Sequence, residues 1–263
     1  MAADNALGEF LKARRGRVPP ARAGLPDHGR RRVAGLRRDE LARLAGISEP
    51  YLTRLEQGVD QHPSPQVLRA LARALELDDD ARAHLFALAA PTPGPARPAE
   101  TEVAPDVHQL LDAWAGTPAY VRDRRFDVLA ANKWARALAP MYEPGHNLAR
   151  DMFLDPSARQ LFPDWPEIAA QTAAALRAEA DPRDPRVGGL VAELETDEDF
   201  HRLWARHDAR SSRDELKRFA HPAVGELALR RQALIVGGAE QQVIIVYQAA
   251  PGSPSEAALA RLL

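Results

Sequence analysis

The chain has no cysteine, and that one absence removes disulfides, thiolate metal sites and a cysteine nucleophile together. Long apolar runs are missing too: nothing approaches the roughly 20 residues that a membrane-spanning helix needs. With Asp4 and Glu9 near its start, the N-terminus does not have the pattern of a signal peptide. A soluble, cytoplasmic protein is therefore expected. Common enzyme signatures are equally scarce. There is no GxSxG elbow, no HExxH helix, no glycine-rich phosphate loop and no dinucleotide fingerprint. Asp208 beside His207, with Ser211 and Ser212 close by, superficially suggests a hydrolase triad, but sequence neighbours rarely supply triad geometry. His201 and His207 stand six apart, about 240° around a helix, so they point to different faces and make a poor metal pair. No catalytic residue, metal or cofactor is expected.

Lysine is the next scarcity. Only three of the 35 basic residues are lysine (Lys12, Lys133 and Lys217), so arginine carries almost all the positive charge. That charge is unevenly placed. The whole chain has a net charge of −2, yet residues 12–54 hold 12 basic against 4 acidic side chains. A basic N-terminal segment on an acidic body suits a protein that docks DNA through one end.

Within that segment, residues 35–58 read GLRRDELARLAGISEPYLTRLEQG, two short helices joined by a tight turn. Leu41 and Leu44 share a face of the first helix, with the small Ala42 and Ala45 where two helices must come close. Gly46 suits a left-handed C-cap, Ser48 is an N-cap residue, and Pro50 falls in the first turn, where its missing N–H is not needed. Leu52 and Leu55 face inward, while Tyr51, Arg54 and Gln57 repeat on another face. This is the arrangement that presents a helix to the DNA major groove. A plain helical hairpin would also bury the leucines, but not with this combination of turn, cap and arginine-bearing helix.

Around this motif, further helices are expected at about 4–15, from Ser64-Pro65, and at about 79–89, giving an all-α domain of about five helices over residues 1–90. Residues 91–105 hold five prolines in fifteen positions and no hydrophobic periodicity, as a linker would. Residues 106–263 change character. After a helix near 106–115 come strand candidates 119–122 and 126–130, six helices between 132 and 207, and strand candidates 216–221, 226–230 and 242–247. Asp164 and Glu167 have capping-box spacing. The β-branched run Val243–Val246 suits a central strand covered on both faces. Two strands, a helical insert and three strands do not make the alternation of a parallel sheet. The fold class is therefore α+β, with an antiparallel sheet in the second domain.

The N-terminal segment resembles the Xre-type helix-turn-helix regulators. The segments RRFDVLAAN (124–132), FLDPSARQLFPDW (153–165), LWARHD (203–208), KRFAHPAVGEL (217–227) and AAPGSPSEAAL (249–259) are similar to the MmyB-like ligand-binding domain attached to that variant. The resemblance spans nearly the whole chain. It implies a transcriptional regulator, a PAS-like second domain around an internal cavity, a fatty-acid-like effector, and a salt bridge between Glu56 and Arg15. Ala34 stands where the family often has proline, and GVDQHPSP departs a little from the usual form.

Particular residues can then be assigned expectations. On DNA, Ser48, Glu49, Tyr51 and Arg54 lie nearest the base edges, and Arg54 can read guanine O6 and N7 with two hydrogen bonds. Arg37, Arg38 and the run Arg30, Arg31 and Arg32 would bind phosphates and fix register. In the second domain Trp114, Tyr120, Trp134, Met141, Phe153, Phe162, Trp165, Phe200, Trp204 and Phe219 could together line an internal cavity, with Trp134, Phe153, Trp204 and Phe219 taken as its wall, and His207, Asp208, Arg210 and His221 are candidate polar anchors. Core packing of the rings, and a structural hydrogen-bond network for the polar groups, remain the alternatives. The expected partners are double-stranded DNA with a pseudo-palindromic operator, a small apolar ligand and a second copy of the chain. Two other readings stay open: a second domain that serves only dimerisation or protein contacts, and an enzyme fused to a DNA-binding module.

Overall fold

A computed structural model describes residues 5–21, 35–90, 102–182, 184–210, 215–239 and 241–263. They fall into two compact units: Met1–Ala96 with Arg202–Arg210, and Arg97–His201 with Ser211–Leu263. Most of the expected linker, residues 91–101, lies outside the described residues.

The first unit contains α1 (Ala6–Arg15), α2 (Arg38–Ala45), α3 (Glu49–Glu56), α4 (Pro65–Ala74) and α5 (Asp79–Ala89). Their starts are written in the sequence. The side chains of Ser48, Ser64 and Asp78 each accept a hydrogen bond from a backbone N–H three residues on, at Tyr51, Val67 and Ala81. Glu40 does the converse, accepting from the Arg37 N–H at 2.7 Å and fixing the start of α2. Gly46 closes α2 at φ +65°, a conformation that glycine adopts without a Cβ penalty. Phe10, Leu11, Leu41, Leu52, Leu55, Leu71 and Leu85 form the buried centre. Leu44 departs from expectation: it is more than a third exposed, while Leu41 is fully buried. On α5, Phe86 and Leu88 are partly buried against this core.

Gly8 marks a close approach of α1 to the end of α3. A Cβ there would lie 2.5 Å from the Glu56 carbonyl oxygen and 2.7 Å from that of Leu55. Side chains clamp the same contact. The Glu56 carboxylate is buried and accepts from Arg15 Nε (2.6 Å) and Nη2 (3.2 Å) and from Arg38 Nε (2.6 Å). Arg15 Nη1 adds a bond to the Leu36 carbonyl at 2.9 Å. One carboxylate thus joins the end of α1, the start of α2 and the end of α3.

The second unit is built on a five-stranded antiparallel sheet in the order β2-β1-β5-β4-β3. The strands are β1 (Ala119–Asp123), β2 (Val128–Ala131), β3 (Glu215–His221), β4 (Gly225–Ile235) and β5 (Gln242–Gln248). As the Val243–Val246 run anticipates, β5 is central, and its alternate residues serve both faces. On one face Ile244 and Val246 join Val121, Ala130 and Leu111 of α6 (Pro105–Ala113) in an apolar cluster. The other face turns Tyr120, Arg122, Lys217, Phe219, Arg231, Ile245 and Tyr247 towards the helical insert, as the pairings Tyr120↔Ile245 and Arg231↔Tyr247 require.

That insert comprises α7 (Lys133–Leu138), a short 3₁₀ turn (Pro140–Tyr142), α8 (Leu148–Leu154), α9 (Pro156–Leu161), α10 (Trp165–Glu179), α11 (Pro185–Leu194) and α12 (Glu198–Trp204). Asn132 caps α7 through the Ala135 N–H (2.9 Å). It also accepts from the Ala119 N–H and donates to the carbonyls of Leu111 and Thr117, so a buried amide ties α6, β1 and α7 together. The expected capping box at α10 does not form. Asp164 makes no side-chain cap; its carboxylate instead takes two N–H groups of Arg218. That bond and the guanidinium charge hold the Asp164 carboxyl below the ordinary carboxylate range. A last helix, α13 (Pro254–Leu259), goes beyond the expected elements and packs on β4, where Ser255 Oγ accepts from the Ala228 N–H at 2.9 Å.

Candidate functional site

Each unit presents one candidate site, and the first lies on α3. Ser48 and Glu49 are exposed at its start. Ser48 Oγ is engaged as the cap acceptor, which leaves its O–H able to donate outward. Tyr51 is half-buried against the core with its edge exposed. Burial and the neighbouring Asp60 carboxylate raise its hydroxyl above the ordinary phenol range, so it is neutral and can donate. Arg54 is 58% exposed and its guanidinium pairs with Asp60, with Nε 2.9 Å from Oδ2. Arg37 is exposed at the entrance to α2. Arg38, expected on phosphate, spends its Nε on Glu56, with its side chain still 41% exposed. Arg30, Arg31 and Arg32 lie outside the described residues. Sequence reasoning thus placed the helix and its cap, but missed Asp60, whose role depends on how the chain turns after α3.

A cavity of about 40 Å³ on the inner face of the sheet is the second site. Tyr120 and Arg122 of β1, Lys217 of β3, Arg231 of β4 and Tyr247 of β5 form its floor. Phe126, Met141, Tyr142, Leu148, Met152, Phe162 and Thr172 form its walls. This lining holds three cationic side chains and no carboxylate. Arg122 is nearly fully buried. It donates to Glu179 at 2.7 Å and to the Asp123 carbonyl at 2.9 Å, and its guanidinium lies 4.1 Å from the Phe126 ring centroid. Phe126 itself sits at φ +71°, a conformation that costs free energy for a bulky residue.

Three tyrosines cross the cavity. Tyr120 and Tyr142 stack with centroids 4.6 Å apart, and the Tyr142 and Tyr247 hydroxyls are 3.1 Å apart. Burial pushes the Tyr120 and Tyr142 hydroxyls up. For Tyr247 burial also raises, but Lys217, Arg231 and the two neighbouring hydroxyls outweigh it and hold the group below the usual phenol value. The cations thus favour the ionised form of one buried hydroxyl, with Arg122 itself paired to Glu179. Outside the cavity, α10 and β3 flank a polar groove of about 220 Å³ that shares Lys217 with it.

Of the bulky residues weighed as cavity wall, Tyr120, Met141 and Phe162 line this cavity; none of the seven residues expected to bind ligand does. Phe153 packs edge-on to Phe200 and Trp165, with centroids 4.9 and 6.2 Å away. Phe219 packs against two lining residues, Phe162 and Tyr247, with ring centroids 5.2 and 5.3 Å away. His221 is held by the backbone: Nε2 is 3.0 Å from the Ala137 carbonyl and Nδ1 accepts from the Ala223 N–H. Trp134 is half-buried on α7, with the Lys133 ammonium 5.7 Å from its ring centroid. Trp204, His207 and Arg210 belong to the 202–210 segment that groups with the first unit. There Arg210 approaches Asp78 at 3.7 Å, and Asp208 pairs with Arg14 and Arg17. The polar lining was hard to foresee because its cations occupy strand positions where a core face is expected to be apolar.

Among the described residues no group of three or more His, Asp or Glu could hold a metal ion, and no helix is long and apolar enough to cross a membrane. Comparison with protein families gives two matches. Residues 6–85 match a helix-turn-helix domain, and residues 103–263 match the MmyB-like transcription regulator ligand binding domain. No curated protein matches the chain.

Proposed function

The chain belongs to the family of MmyB-like transcription regulators, and on that footing we propose that it is a sequence-specific DNA-binding regulator controlled by a small effector with an apolar body and an anionic head. The helix-turn-helix domain implies a DNA partner and the second domain a small-molecule ligand; neither family is enzymatic. One observation carries the finer reading: a cavity walled by Met141, Leu148, Met152 and Phe162 whose only charged lining groups are Arg122, Lys217 and Arg231. An apolar wall over a cationic floor suits a fatty acid or similar carboxylate.

The cavity holds roughly three waters at its present size, so an acyl chain requires side chains to move. Met141 and Met152, unbranched and with several rotatable bonds, are the ones best able to yield. Regulation then follows from unequal affinity. A ligand that favours the expanded cavity shifts DNA affinity only as far as the DNA-competent and incompetent states differ in cavity shape.

We further propose a cytoplasmic homodimer on a pseudo-palindromic operator. A single helix-turn-helix reads few base pairs, and a two-fold pair would place recognition helices about 34 Å apart.

The small cavity volume favours a second reading, in which side chains fill the domain and it serves only dimerisation or protein contacts. Native mass spectrometry of the purified chain, before and after organic extraction and after adding dodecanoate, separates the two. A lipid-sized adduct that returns with dodecanoate but not dodecanol supports the effector. No adduct under any condition leaves the second reading.

A further inference from the structure

Arg54 and Asp60 are joined at two points. Arg54 Nε lies 2.9 Å from Asp60 Oδ2, and Arg54 Nη2 donates to Oδ1 at 3.0 Å. The backbone fixes the partner in place. After Gly58, at φ +74°, the chain folds back so that the N–H groups of Val59 and Asp60 both donate to the Arg54 carbonyl, at 2.9 and 3.3 Å. Carboxylate and arginine are therefore held from both ends, through the side chains and through the main chain.

A guanidinium is planar and has two forked edges, one of Nε and Nη2 and the other of Nη1 and Nη2. Asp60 takes the first. The second is left to a side chain that is more than half exposed on the outer face of α3. That outer edge has the spacing to donate to guanine O6 and N7 together. We propose that Asp60 is a positioning residue for DNA reading: it locks the Arg54 guanidinium so that its outer edge meets guanine. This rests on the assignment of α3 as the reading helix.

Two physical effects make the pairing selective. A long side chain already held in its bound conformation loses less rotamer freedom on docking, and the gain accrues only where two acceptors match the fork. The carboxylate also offsets the guanidinium charge, which weakens non-specific attraction to phosphate. Asp60 therefore gives up some general affinity and raises discrimination.

The test is selection from a random-sequence duplex pool by the full-length protein at fixed salt, with wild type, Arg54→Ala, Asp60→Ala and Asp60→Asn. Wild type should enrich a guanine in each half-site and Arg54→Ala should lose it. Asp60→Ala should cut the preference for that guanine about tenfold while binding an unselected duplex as well as wild type or better. Asp60→Asn, which keeps one acceptor oxygen, should fall between them and covers the case in which the alanine variant does not fold. A merely structural Asp60 would instead lower affinity for both DNAs together with the melting midpoint, and that result overturns the proposal. So does an unchanged guanine preference in both Asp60 variants when Arg54→Ala has lost it; the reading helix then stands and the positioning role does not. A guanine preference that survives Arg54→Ala, or a wild type that enriches nothing, removes the reading helix itself.

Discussion

Replacing Glu56 with alanine removes the carboxylate that accepts from Arg15 and Arg38 at the junction of α1, α2 and α3. The size of the loss follows from the surroundings. Glu56 is almost wholly buried, Arg15 is 12% exposed and Arg38 41% exposed. Breaking one side of a buried pair costs about 3–5 kcal/mol, because a charge is left without compensation. The lower end applies here: Arg15 keeps its bond to the Leu36 carbonyl, and Arg38 can turn to water. A loss of about 3 kcal/mol is a large part of the roughly 5–15 kcal/mol that holds a domain together. At about 4–8 °C per kcal/mol for a domain of this size, it lowers the first unit's midpoint by about 12–24 °C. Calorimetry on the full chain reads the shift, and a double-mutant cycle of Glu56→Met with Arg15→Met isolates the pair. A coupling of about 1 kcal/mol or more is expected. If Glu56→Ala costs less than about 1 kcal/mol, or the two methionine variants simply add, the carboxylate is no clamp and the reasoning from burial fails.

Gly8→Ala should destabilise the same junction by about 1–3 kcal/mol, since the new methyl meets the backbone carbonyls of Leu55 and Glu56, which cannot swing aside; chemical denaturation of the variant measures it. In the second unit, Tyr247 ionises below its ordinary value of 10.0 because Lys217 and Arg231 outweigh its burial. Carboxylate binding to the cavity should therefore weaken as pH rises through that ionisation, when a phenolate competes for the same cations, and Tyr247→Phe should flatten the dependence; dodecanoate titrations across alkaline pH check both. Light scattering on the full-length protein, alone and on duplex DNA, should show two copies, and a monomer under both conditions would end the two-fold operator reading.

The first unit was legible because its signals are local. Ser48 with Pro50 and Ser64 with Pro65 announce helices three residues ahead of the bond that caps them, and Gly46 announces the stop. The same signal at Ser253-Pro254 starts α13, and it could have been read there by the same rule. Glu56 is different. Its partners lie 41 and 18 residues away, and no spacing rule brings them together; only the family resemblance pointed to Arg15. Asp60 lies close in sequence, but its pairing depends on the turn at Gly58, which the motif does not specify.

The second unit shows why a cavity-lining face is the hardest to read. Its strands were found where apolar residues alternate or run together, as in Val243–Val246. The extent of β4 was missed, because Arg230-Arg231-Gln232 looks like the end of a strand. In fact β4 continues through it, pairing with β3 over Gly225–Arg231 and with β5 over Arg230–Ile235. Arg231 then lands inside, among the cavity lining, beside Lys217 and Arg122. A cation at a core position breaks the period-2 pattern that identifies a strand, and only a charged or polar occupant, or a compensating network, makes it tolerable. The bulky rings divide between core and cavity lining. Phe153, Phe200 and Trp165 pack against one another as core, while Tyr120, Met141 and Phe162 line the cavity beside its cations. Aromatics in the sequence mark both the packing and part of the cavity lining, and the interruption in the strand pattern at Arg231 marks one of its cations.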